Sequence, residues 1–163
     1  MSEASAVIWS CLHFNDLSCA QLRQVYTARQ QVFVIEQAIR YVDADAVDDV
    51  AHHLTCWRDG ALIAYLRLVP PGVKFAEPAL GRILTTRAGR GQGIGKKLVR
   101  RGIEESERFY PGLGNRISAQ HYLERFYHDL GYVTVSDVYD EEGIPHLEML
   151  YPPPQQSVKA ITI

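Results

Sequence analysis

Hydrophobic and polar residues alternate from Val7 to His13, with Val7, Trp9 and Cys11 on one side and Ile8, Ser10 and Leu12 on the other. That period predicts a first strand. From Ser18 the period lengthens: Leu22, Val25, Tyr26 and Phe33 recur at helical spacing, behind a capping-box pair of Ser18 and Gln21. Residues 38–51 follow neither pattern and read as an acidic connector carrying Asp43, Asp45, Asp48 and Asp49. Two apolar strands come next, His53–Arg58 and Ala61–Val69, joined by the hairpin dipeptide Asp59-Gly60. Beyond Pro70, Pro71 and Gly72 lies a strand at Ala79–Thr85, then a helix from about Gly93 to Phe109. On that helix Ile94 pairs with Leu98, and Val99 with Ile103, at i,i+4.

A strand at Arg116–Gln120 leads to a short helix, His121–Leu130, which Gly131 should stop. The last strands are Tyr132–Tyr139 and Pro145–Tyr151, around the acidic turn Asp140–Gly143. Three prolines from Pro152 forbid further strand pairing. The order β-α-β-β-β-α-β-α-β-β predicts an α/β (α+β) fold: a mixed central sheet with helices on both faces. One domain is expected over residues 1–151, with 152–163 as a C-terminal tail.

Composition narrows the function classes. At 163 residues and a formal net charge of −2, the chain has no global attraction to nucleic acid or anionic membrane. The four cations Lys96, Lys97, Arg100 and Arg101 share one helix, without interleaved stacking aromatics, so no nucleic-acid partner is expected. No apolar run is long enough to span a membrane, and the acidic start does not read as a signal peptide. Three cysteines, Cys11, Cys19 and Cys56, suit reduced thiols and a cytoplasmic location. His52, His53 and His146 near aspartates raise the question of a metal. Adjacent strand residues point to opposite faces, however, so none is expected.

The informative stretch is Gly81–Arg101, where a strand runs into a turn with glycine at 89, 91, 93 and 95 and a helix leaves at once. Free amides and the positive dipole end at a helix start make an anion site, and glycine lets backbone approach a phosphate closely. A Walker A loop is excluded, since Arg90 stands where its first glycine belongs and Lys97 where Ser or Thr belongs. The dinucleotide fingerprint fails too, because Gly91 and Gly93 are followed by Lys96. The pattern R-x-x-G-x-G is met by Arg90, Gly93 and Gly95.

Here the chain resembles the GNAT superfamily of acyl-coenzyme A-dependent N-acetyltransferases over nearly its whole length. The resemblance implies a mostly antiparallel sheet with a mid-sheet splay, and acetyl-coenzyme A as acyl donor. Its pyrophosphate would lie on Arg90, Gly91, Gln92, Gly93, Ile94, Gly95 and Lys96, and its pantetheine arm along Ile83, Leu84 and Thr85. The segment Ser118–Tyr132 also matches, and puts Tyr127 where the family has a general acid. Gln120 stands where many members carry an asparagine that contacts the cofactor arm. Three further stretches, Arg29–Gln37, the connector ending in His52-His53, and Glu141–Met149, resemble the ElaA-type subgroup, whose acceptor is poorly defined.

The resemblance implies direct transfer to a small-molecule or peptide amine, with no covalent enzyme intermediate. Backbone amides near Leu84 would polarise the thioester. The amine must attack neutral, so a carboxylate or histidine is needed. The candidates are Glu36, Asp45, His53 and His146, with Phe33 as a further acceptor-side residue. Arg29 and Glu36 read as a structural pair, and the aspartate quartet as a solvated loop. The alternatives are a non-catalytic acyl-coenzyme A sensor and an acyl-homoserine-lactone-synthase-like enzyme. The fold commonly pairs through its late strands, so a homodimer is possible.

Overall fold

A computed structural model of the chain describes residues 5–155. Among these residues the strands are β1 (Ile8–His13), β2 (His52–Arg58), β3 (Ala61–Val69), β4 (Ala79–Thr85), β5 (Asn115–Gln120), β6 (Val133–Thr134), β7 (Tyr139–Glu141) and β8 (Ile144–Tyr151). The helices are α1 (Cys19–Arg29), α2 (Ile94–Phe109) and α3 (Glu124–His128). The strands form one sheet in the order β1-β2-β3-β4-β5-β8-β6, with β7 paired to β8. Every pairing is antiparallel except β4 with β5. Among the described residues no helix is long and apolar enough to cross a membrane.

Local chemistry sets several boundaries. The Ser18 hydroxyl accepts the Gln21 amide while the Gln21 side chain accepts the Ser18 amide, so α1 starts on the predicted capping box. Asp59 and Gly60 turn the β2–β3 hairpin at φ +50° and +77°, as a tight two-residue loop requires. α1 does not stop at Arg29 but widens into a π-helical segment, Gln30–Glu36. The acidic connector carries a 3-10 turn, Ala46–Val50, that Asp45 caps.

Strand β3 organises the core, because its alternate side chains feed two layers. Ala64, Leu66 and Leu68 join Leu54 and Cys56 beneath Leu98 and Val99 of α2. Gly102 lets that helix settle close, since a Cβ there would lie 2.6 Å from Leu66 Cδ2. On the opposite face Val25 and Ala28 of α1 pack with Leu62, Tyr65 and Leu84. The buried stripe of α1 is therefore Val25, Ala28 and Arg29, while Leu22, Tyr26 and Phe33 are only half-buried.

Two predicted elements are divided. The helix expected over His121–Leu130 is a 3-10 turn, His121–Leu123, followed by the five-residue α3. The strand expected over Tyr132–Tyr139 is split into β6 and β7. The reason is local: the Ser136 hydroxyl accepts the Glu148 amide in place of a backbone carbonyl, and the chain leaves register there. Of the expected tail, residues 152–155 form no regular element and 156–163 lie outside the described residues.

Candidate active site

β4 and β5 are paired at a single register point, Ala79 with Arg116, and diverge beyond it. On its other side β4 bulges, so that Arg82 and Ile83 together face Leu66, with Arg82 at φ +51°. The divergence opens a cleft of about 640 Å³ lined by both strands, Phe33, Arg67, Tyr127, Glu141 and His146. Ile83, Leu84 and Thr85 form one wall and Gln120 another, with the Gln120 amide donating to Gln37 Oε1 at 3.4 Å.

At one end of the cleft β4 runs into the glycine turn. Gly89 sits so tightly on β3 that a Cβ would lie 2.4 Å from the Ile63 carbonyl oxygen. Gly91 and Gly93 take the left-handed conformation, at φ +75° and +71°. Gly93 caps α2 with no side-chain hydrogen bond, which leaves the first-turn amides for a guest. A Cβ placed at Gly91 or Gly93 meets nothing within 4 Å, so the space above the turn is open. Gln92 is pinned by Arg58 at 2.8 Å, and Ile94 turns its side chain into the core. Lys96 is exposed at the rim. The residues present fit a pyrophosphate held by backbone amides.

Tyr127, on α3, is 5% exposed and packs edge-on against Phe126 and Tyr132, with centroids 5.1 and 5.7 Å away. Burial pushes its phenol well above the usual tyrosine range, and the group keeps its proton at neutral pH. It can therefore give a proton to a strong base but not take one.

The other end of the cleft holds a hydrogen-bonded chain that the sequence alone did not assemble. His146 Nδ1 donates to the Ile144 carbonyl at 2.7 Å, which leaves Nε2 as the lone-pair nitrogen of the neutral ring. That Nε2 faces Glu141 Oε2 at 3.3 Å. The same carboxylate oxygen accepts from the Ser118 hydroxyl at 2.9 Å, and Ser118 is 2.5 Å from the Tyr139 hydroxyl.

A largely buried ionic network lies along the cleft. Arg29, fully buried, donates to Asp43 at 2.6 Å and to Asp48 at 2.7 Å. Arg67 donates to Asp45 at 2.6 Å and to Asp48 at 2.8 Å, and Arg82 to Asp43 at 2.8 Å. Burial alone would raise the Asp48 pKa, but the bonds from Arg29 and Arg67 outweigh it and hold the carboxyl at about 2.

Several expected roles change with this geometry. Of the aspartate quartet, Asp43 and Asp48 are buried anchors rather than solvated loop, and Asp45 is committed to Arg67. Arg29 and Glu36 are not partners: Glu36 accepts from Arg90 at 2.7 Å and so ties the π segment to the glycine turn. His53 is fully buried, with Nδ1 2.7 Å from the Tyr65 hydroxyl and Nε2 3.0 Å from the Asp48 carbonyl. Neither ring nitrogen faces the cleft, and burial lowers the His53 pKa so that the ring is neutral. His52 points the other way and stacks on Phe109 at 3.9 Å. Of the four candidate bases, His146 alone has a ring nitrogen turned to the cleft beside an acid. The residues missed were Arg67 and Glu141. The first had a visible signal, a lone charge in the apolar run ALIAYLRLV.

Comparison with known proteins agrees with this fold. The sequence model of the acetyltransferase (GNAT) domain matches residues 20–151. A UPF0039 protein of Synechocystis is 43% identical over 144 residues, covering 88% of this chain and 94% of that one. The crystal structure of Escherichia coli ElaA superimposes with a TM-score of 0.83 at 31% identity, over 89% of this chain and 99% of that one. An acyl-CoA N-acyltransferase structure from Pseudomonas aeruginosa gives a TM-score of 0.85 at 38% identity, with the same coverage.

Proposed function

Because the chain belongs to the GNAT acetyltransferase family, we propose that it transfers an acetyl group from acetyl-coenzyme A to a primary amine within a ternary complex. One observation carries the reading: the cleft that reaches Thr85 and Arg90, next to an uncapped, glycine-built helix start, also holds a buried protonated phenol and a histidine–glutamate pair. Acetyl-coenzyme A supplies an acyl group already activated as a thioester. The amides from Arg90 to Lys96 hold the pyrophosphate, and the sheet edge at Ile83, Leu84 and Thr85 holds the arm. Amides near Leu84 receive the charge that develops on the carbonyl oxygen.

At the acceptor end, His146 Nε2 takes a proton from the ammonium form, and Glu141 stabilises the resulting imidazolium. The neutral nitrogen forms its bond to the acyl carbon as the carbon–sulfur bond breaks, and its surplus proton passes to solvent, as does the one His146 took. Tyr127 gives its proton to the departing thiolate and recovers one from solvent. Cys11, Cys19 and Cys56 are free thiols, and none lines the cleft, so direct transfer is favoured over an enzyme-bound acyl group. Free thiols also fit a reducing, cytoplasmic setting.

The test is Tyr127→Phe assayed by thiol release with a panel of primary amines. Turnover should fall about a hundredfold, within the span typical of a general acid. Acetyl-coenzyme A affinity should hold. Equal turnover in the variant would end the acid role.

A further inference from the structure

We propose that the acceptor is an amino acid, whose carboxylate is gripped by Arg67 and Lys74 while its amine meets Glu141 and His146. The inference rests on reading the cleft as an acyl-transfer site. It starts from Arg67, which is 3% exposed and lines the cleft. Its Nη1 serves both Asp45 and Asp48, but its Nε has no hydrogen-bond partner among the described residues. A buried guanidinium N–H left unpaired is costly, so such a group calls for a partner. Nε and Nη2 together form the edge of the guanidinium that takes both oxygens of a carboxylate.

The neighbouring arginines are otherwise engaged. Arg29 donates to Asp43 and Asp48, and Arg82 to Asp43. Three arginines thus face three aspartates, and the network is balanced in formal charge. Lys74 is the added cation: it lines the same cleft, within electrostatic reach of Arg67, Arg82, Asp45 and Glu141. Glu141 and Glu142 supply negative charge to the same cleft, with His146 at 3.3 Å from Glu141. A cleft that holds an incompletely paired guanidinium and a lysine beside two carboxylates complements a zwitterion, whose ammonium and carboxylate are themselves close together. A simple amine would meet the carboxylates and leave Arg67 Nε unpaired.

The experiment compares matched pairs on the full chain loaded with coenzyme A: L-phenylalanine with phenethylamine, L-methionine with 3-(methylthio)propylamine, and L-lysine with cadaverine. Binding is read by calorimetry, and transfer by thiol release with acetyl-coenzyme A. In each measurement the best amino acid should exceed its decarboxylated partner by about tenfold or more, the scale of a charge-assisted hydrogen bond. Lys74→Ala, on the rim and outside the buried network, should narrow that gap. Arg67→Lys, which keeps the charge beside Asp45 and Asp48 but loses the fork, should narrow it further. Amines that bind and react as well as their amino acids would overturn the proposal, as would amino acids that do not bind. Failure to bind coenzyme A is a different result and would remove the transfer reading itself.

Discussion

In the proposed reading, the donor end of the cleft is built from backbone and the acceptor end from side chains. At the donor end the working parts are the amides of a turn whose glycines stand at φ +75° and +71°, and the side chains around it point away or into solvent. At the acceptor end, Arg29, Arg67, Arg82, Asp43, Asp45 and Asp48 hold one another, with Arg29, Arg67, Asp43 and Asp48 out of water. A backbone site tolerates most side-chain changes except at its glycines. A buried ionic site does not, because removing one partner strands another charge. The first end can therefore be altered with little harm to the fold, whereas the second is part of the fold.

The largest effect should follow Asp48→Asn, which weakens the bonds to both Arg29 and Arg67. Unfolding by denaturant should show a loss of about 3–5 kcal/mol. A loss under 1 kcal/mol would mean the network is dispensable. Acid should act on the same residue. Asp48 is held at about 2 in the fold against 3.8 unfolded. Its contribution is complete above pH 3.8 and is lost as pH falls toward 2, about 2 kcal/mol in all. Asp48→Asn should remove that part of the acid sensitivity.

Gly93→Asp should behave in the opposite sense. Gly93 stands at φ +71°, where even aspartate, one of the side chains best suited to the left-handed region, is strained although a Cβ there meets nothing, so stability should fall by about 1–2 kcal/mol. Acetyl-coenzyme A affinity should fall about tenfold or more, because a carboxylate then occupies the anion site. The smallest effect belongs to Arg90→Gln. Its bond to Glu36 lies at the surface, with Arg90 43% exposed, and should contribute less than about 1 kcal/mol to stability.

The same contrast explains what the sequence made legible. The donor turn is a run of consecutive residues, as are the Asp59-Gly60 hairpin and the Ser18 capping box, and each could be read where it stood. The acceptor end joins residues far apart in the chain: Arg29 meets Asp43 across 14 positions, and Arg82 meets Asp43 across 39. Spacing could not show that His53 turns inward to Tyr65 while His146 turns to Glu141. Nor could it show the π segment that carries Glu36 to Arg90, or the Ser136 hydroxyl that divides the penultimate strand. The lone arginine in β3 was the one long-range clue available, since an apolar strand does not bury a guanidinium without partners.

The central claim is that the glycine turn and the splayed strands receive acetyl-coenzyme A, and a calorimetric titration of acetyl-coenzyme A into the wild-type protein and Gly93→Asp tests it most directly. The account predicts one saturable site in the wild type that is weakened in the variant, with both proteins folded at the temperature of the titration. No binding to the wild type, or equal binding to both, would contradict it.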